Sequence, residues 1–229
     1  TSIEATDNSL AVDLEHENYA ADGRSDFDLR RELVDILDIE AASCEFENDR
    51  DYEPAWNEDV HNRVLKVALR PFDAARCRNM CISLSSVSEE SDLIPRHVSG
   101  GALEGKMVDY AMYLEPSPAM RERIREMLHS HARMEPSTGV SSSINQTVYA
   151  PLRHRPIAVS IETKTPDGNE SSAKAQLAVW AAAQLEHMRR LSPRMHLPTL
   201  PLVLISGVDW DVYYVRADEK VGEGLAGVG

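Results

Sequence analysis

The stretch that most constrains this chain is residues 155–165, RPIAVSIETKT. Pro156 opens an apolar, β-branched run of Ile157, Ala158, Val159 and Ile161. Thr165-Pro166-Asp167-Gly168-Asn169 closes it as a turn. A short apolar run bounded by turn residues reads as a buried central strand. Glu162 and Lys164 stand at its end. Side chains alternate faces along a strand, so these two share a face about 6.5–7 Å apart. Burying charge is costly, so such a pair needs a partner or a task. For Glu-x-Lys alone, a same-face ion pair where the strand runs into solvent is a sufficient account.

The neighbouring sequence adds chemistry. A helix follows directly, with Ser171-Ser172 as candidate N-cap and Gln176 in the first turn of Ala173–Leu191. Its buried side should carry Leu177, Trp180, Ala181, Gln184, Met188 and Leu191. Upstream, Met107–Leu114 reads as another strand, with Asp109 near its start.

The 229 residues suffice for one domain with a real core and a tail. Hydrophobic content of 42% and charged content of 27% suit a soluble globular chain. No apolar run approaches the ~18–20 residues of a membrane span, so no membrane partner is expected. The net charge of −14 argues against nucleic acid, but its distribution does not. Residues 1–60 hold 19 acidic residues against 4 Arg, and residues 61–229 hold 19 against 20 basic ones. The acidity therefore belongs to the N-terminal quarter, where a protein partner could also bind.

Cys44, Cys77 and Cys81 cannot all pair internally, and no His stands at zinc-ligand spacing beside them. Free thiols point to a reducing, intracellular setting, nuclear or cytoplasmic. The sequence starts at Thr1 and not at Met, so a removed leader, and secretion as an effector, stay open.

In chain order, residues 1–25 read as a loosely attached acidic arm. Asp26 is expected to cap a helix to about Ile39, docked through Leu29, Leu33, Ile36 and Leu37. Residues 40–52 read as loop. A helix from about Pro54 to Leu69 carries one stripe of Trp56, Val60, Val64 and Val67, and a second of His61, Leu65 and Ala68. Glu58 borders the second stripe, and His61 reads as a core hydrogen-bonding residue. Residues 72–85 suggest helix into strand, with the strand over 79–84, and residues 93–103 a short strand. Ser117-Pro118 opens a helix to about Arg133, with Met120, Ile124, Met127 and Leu128 on its inner face. Its Arg121, Arg123 and Arg125 are the first place to seek phosphate contacts. Residues 134–155 form a long irregular segment ending in Arg153, His154 and Arg155. Because it leads into the Glu162 strand, it is expected at the mouth of the site. Leu200–Ser206 and Asp211–Arg216 read as strands joined at Gly207–Trp210.

Asp, then Glu-x-Lys, then a helix with an early Gln is the active-site order of the PD-(D/E)XK, or restriction-endonuclease-like, nucleases. The chain resembles the fungal PD-(D/E)XK nuclease-like domain proteins in Trp56-Asn57-Glu58 with Val60-His61, in Val108-Asp109-Tyr110 and in Ser143 to Thr147. The likeness continues through Tyr149 to Arg153, Pro156 to Lys164 and Gln176 to Trp180. It covers roughly residues 50–216, and Val108 replaces the family's usual Pro.

The resemblance implies an α/β (α+β) fold: a central mixed sheet flanked by helices, with helical insertions. It places the domain at 46–216, after an arm over 1–45 with one docking helix and before a Gly-rich tail over 217–229. It implies that Asp109, Glu162 and the Thr163 carbonyl hold Mg2+ or Mn2+. The first helix adds Glu58, with Glu53 as its rival. Lys164 would hold the attacking water or the transition-state charge, and Gln176 would orient Lys164 or that water. The implied partner is DNA or RNA and the implied reaction phosphodiester hydrolysis. A catalytically silent nuclease fold serving as an interaction or effector module is the alternative.

Overall fold

In the computed structural model, residues 25–72, 75–79, 93, 107–134, 143–147, 149–193 and 196–217 are described. β3 (Ile157–Lys164) is the middle strand of a five-stranded mixed sheet. β1 (Ala75–Asn79) and β2 (Tyr110–Leu114) lie on one side of it, β4 (Leu200–Ser206) and β5 (Asp209–Val215) on the other. Every pairing is antiparallel except β3 with β4. Parallel neighbours need a crossover, and α5 (Glu170–Leu191) supplies it.

Alternation sorts β3 between two layers. Ser160 and Glu162 face α5, where Ser160 accepts a 2.9 Å bond from Trp180 Nε1. Ile161 and Val159 face the other way, into a cluster with Leu65, Tyr110 and Ile205. Cover on both faces is why the strand reads as a nearly unbroken apolar run. The α5 layer is the larger core, built on Trp180, Leu177, Ala181, Leu202 and Leu204. The cap of α5 is Asn169, not a serine. Its side chain accepts from Ser172 N, so both serines fall inside the first turn.

α1 (Asp26–Asp49) starts at a capping box in which Ser25 and Asp28 satisfy each other's backbone N–H. It runs ten residues past Ile39, through most of the stretch read as loop, because the Glu and Ala residues there are good helix formers. Arg50, left-handed at φ 53°, ends it. The expected docking face is also corrected. Leu29, Leu33, Ile36 and Leu37 are exposed, whereas Ile39, Ala42 and Phe46 pack on Trp56 and Val60.

The next helical run is broken in kind. α2 (Glu53–Ala55) passes into a π turn (Trp56–His61) and then α3 (Asn62–Leu69). Its two stripes find two partners: Trp56, Val60, Val64 and Val67 meet α1, and Leu65 meets the sheet.

α4 (Pro118–Met134) buries Ile124 and Leu128 against Leu191, while Met120 stays exposed. β1 begins before the strand expected over 79–84. The rest of that expectation, Cys81, the strand over 93–103 apart from buried Leu93, the arm before Ser25 and the tail after Ala217 lie outside the described residues.

The described part of the segment before β3, residues 143–147 and 149–155, is not at the site mouth. Asn145 donates to the carbonyls of Leu152 (2.6 Å) and Arg155 (2.9 Å) and accepts from Ile157 N (3.0 Å). It therefore ties the start of β3, the end away from Glu162. Among the described residues, no helix is long and apolar enough to cross a membrane.

Candidate active site

Four elements converge where β3 ends: the approach to β2, the last residues of β3, α2 and the second turn of α5. Asp109 precedes β2 and lies opposite the end of β3 in the ladder. Its Oδ2 accepts from Thr163 N (2.7 Å) and Thr163 Oγ1 (2.9 Å). The carboxylate thus stands in the place of one more rung of the sheet.

Glu162 is 1% exposed. Its Oε1 accepts from Lys164 Nζ (2.8 Å) and Gln176 Nε2 (2.6 Å). Its Oε2 is buried with no hydrogen-bond partner. Burial, then the Asp109 charge, push the Glu162 carboxyl up to about 8 against the pull of Lys164. A carboxylate left half-satisfied in the interior is costly, so Oε2 is an acceptor waiting for a cation or a donor.

Lys164 ends inside a cage of oxygens. Its Nζ lies 2.6 Å from Thr163 O, 2.8 Å from Glu162 Oε1 and 3.3 Å from Glu53 Oε2. Burial opposes its charge, but the hydrogen bond and attraction of Glu162, with Glu53 and Asp109 behind it, hold the ammonium above the ordinary lysine range. Burial, helped by Asp109, raises the Glu53 carboxyl despite its contact with Lys164.

Two glycines bring turns against this lysine. A Cβ on Gly168 would sit 2.6 Å from Lys164 Cβ, so the 165–168 turn can close on the lysine stem only with Gly there. Gly207, at φ +58°, opens the β4–β5 turn, and its N–H donates to Lys164 O at 2.9 Å. His61, fully buried, bonds Gly207 O (2.8 Å) and Asn57 Oδ1 (3.0 Å), which links the first helix to that turn. Tyr110 Oη donates to Asn57 O from the sheet. His61 is thus a core hydrogen-bonding residue, as read from the sequence.

The structure brings Asp109, Glu162, Thr163, Lys164 and Gln176 together. It does not bring Glu58, which is exposed. The i→i+5 bonding of the π turn breaks the α register that would place Glu58 with His61 and Leu65. Glu53 takes the position beside Lys164. Gln176 holds Glu162 and not Lys164. The contribution of Gly207 was not legible, since the contact of its turn with Lys164 and His61 is purely tertiary.

The donors here are all hard oxygens: the carboxylates of Asp109 and Glu162, the latter with Oε2 unpartnered, and the Thr163 carbonyl. Mg2+ keeps several waters and needs only one or two protein carboxylates, so this set fits it and Mn2+. Among the described residues, no group of three or more His, Cys, Asp and Glu side chains is arranged to hold a metal.

Residues 2–226 match the family model of the PD-(D/E)XK nuclease superfamily. The match reaches into the acidic arm, well before residue 50. The chain belongs to this superfamily. Its nucleases generally use divalent metals such as Mg2+ or Mn2+. None of the curated proteins and none of the solved structures matches the chain.

Proposed function

We propose that this chain is a divalent-metal-dependent nuclease that hydrolyses phosphodiester bonds in DNA or RNA. One observation supports it above the others: Glu162 is buried with an unpartnered oxygen, beside a lysine and across from Asp109. Asp109, Glu162 and the Thr163 carbonyl would hold Mg2+ or Mn2+. Such an ion neutralises charge that builds on the phosphate and leaving oxygens. Gln176 fixes the orientation of the Glu162 carboxylate through its bond to Oε1. Lys164 gives up the oxygens it now occupies and turns its ammonium toward the attacking water and the developing charge. Glu53 holds Lys164 on the other side and keeps it protonated.

An interaction module on the same fold is the second reading, favoured by a different feature. The N-terminal half of α1 leaves Phe27, Leu33 and Val34 exposed, and such faces often mark protein contacts. Cleavage of mixed single- and double-stranded DNA and RNA with Mn2+, by wild type and by Lys164→Ala, separates the two. The nuclease reading expects cleavage by wild type only. A purified wild type that cuts none of these substrates transfers the fold to the second reading.

A further inference from the structure

Two cationic stretches separate in sequence meet in space, far from Glu162. Arg125 and His129 of α4 and Arg153 and His154 of the turn before β3 line one cleft, floored by Leu128 and Ala132. Its volume is about 320 Å³. Arg121 and Arg155 stand beside it, both bonded to Glu115. Glu122 meets Arg125 at 2.9 Å across one helical turn. Arg155 is committed to the fold: besides Glu115 it holds Pro151 O at 2.6 Å and lies 5.8 Å from the Tyr113 ring centre. Burial, then Arg125, Arg153, Arg121 and Arg155, push the His154 imidazole below its ordinary pKa. Four guanidiniums are thus close enough to act on one ring, in a chain whose net charge is −14.

We infer that this cleft is a phosphate-binding site, and that it grips the backbone of the nucleic acid away from the bond being cut. The chemistry favours phosphate because planar guanidinium forks offer paired donors to its oxygens, and two imidazoles can add single donors. The floor of Leu128 and Ala132 is small and aliphatic, so it offers a base little to stack on. Its use on a polymer rests on the nuclease reading above; its chemistry does not.

Geometry sets the reach. Ile157 to Glu162 is five residues of strand, roughly 16 Å at ~3.3 Å each. Backbone phosphates advance about 3.4 Å per nucleotide along one strand of a duplex. At that stacked spacing a strand of four nucleotides spans about 10 Å and falls short of bridging both sites, whereas one of fourteen bridges them.

The test is fluorescence anisotropy on the full chain in EDTA at low salt, with labelled strands of four and fourteen nucleotides. Arg125→Gln and Arg125→Gln/Arg153→Gln are compared with wild type. Arg123→Gln, exposed on the same helix outside the cleft, is the control. The double variant should weaken both strands, the fourteen-mer about tenfold or more, and wild type should hold the fourteen-mer more tightly than the four-mer. Its slope of log affinity on log salt should shrink by about 0.7 for each phosphate it no longer neutralises. Arg123→Gln should match wild type. If the double variant unfolds on melting, Arg125→Gln alone decides, since its side chain is 48% exposed.

Wild-type affinity and slope in the cleft variants overturn the site. Inorganic phosphate shifting the His154 ring signals, with four-mer and fourteen-mer bound equally, keeps the phosphate site and overturns its use on a polymer. Cleft-dependent binding without any cleavage in Mn2+ sinks the nuclease reading alone. Cleavage whose KM ignores the cleft variants sinks the cleft alone.

Discussion

The two ends of β3 carry opposite charge and handle it differently. At its finish, Glu162, Asp109 and Glu53 gather around one lysine, largely out of water. At its start, Arg121, Arg155 and Arg76 gather near Glu115, which stays partly exposed, and burial is slight. Arg155 and the other nearby arginines hold Glu115 below the ordinary carboxylate range, the reverse of what burial does to Glu162. The finish stores unfavourable electrostatics that a bound ion would relieve. The start has satisfied its ion pairs through solvent-exposed contacts, which are worth little and are screened by salt. Burial, and not charge number, decides which end can do chemistry.

The largest effect that would break this contrast is on turnover. Lys164→Ala should lower kcat by about 10²–10³, the usual penalty for removing a donor aimed at transition-state charge, while Mn2+ still binds. Loss of metal binding along with turnover would make Lys164 a structural part of the ion site.

Glu162→Gln sharpens the contrast through stability. Mn2+ at a hundred times its dissociation constant should stabilise wild type by about 2.7 kcal/mol, and the variant by nothing. An equal response in both moves the ion elsewhere. The same comparison has a pH signature. The folded carboxyl holds its proton up to about 8, whereas the unfolded one releases it near the ordinary value. Between those points the folded state binds the extra proton, so the Glu162 contribution to apo stability falls as pH rises through the window and is flat above it. Metal affinity should run the opposite way, tightening about tenfold per pH unit until the carboxyl is ionised. Glu162→Gln should flatten the apo stability profile, read by thermal melts from pH 5 to 9.

Gly207→Ala tests whether the buried end is rigid. The added Cβ would lie 2.6 Å from Pro166 Cγ at a left-handed φ, which should cost about 2 kcal/mol. A melt unchanged from wild type would show that the turn yields. Smallest is Arg155→Ala at the exposed end, at about 1 kcal/mol. That effect should shrink with added salt; one that persists at high salt would place its origin in packing on Tyr113.

Much of this was legible because it is local. The run from Ile157 to Ile161, the Glu-x-Lys that ends it, Asp109 near the head of β2 and Gln176 early in α5 all follow from periodicity and turn residues. What escaped was set by distance. The segment ending at Arg155 adjoins β3 in sequence, yet adjoining the start of a strand puts it away from a site at the end. The reach of α1 escaped because its stripe from Leu29 to Leu37 looks like a docking face, while the contacts are made by Ile39, Ala42 and Phe46 further on. Glu53 and Glu58 could not be ranked because hydrophobic spacing assumes an unbroken α register, which the turn at Trp56–His61 does not keep.

That turn has a hereditary consequence. A π turn holds one residue more than the α-helix around it. Loss of a single codon anywhere in 56–61 would let the run close up as plain α-helix and leave its hydrogen bonding intact. Because a π turn winds less per residue, the five residues left would turn the chain about as far as the six did, so Glu53 would keep its bearing on Leu65 and on Lys164. The extra residue therefore serves the turn itself: a deletion there would be felt by Trp56, Asn57, Val60 and His61, which hold α1 and the Gly207 turn, while the Glu53 wall of the site stays standing.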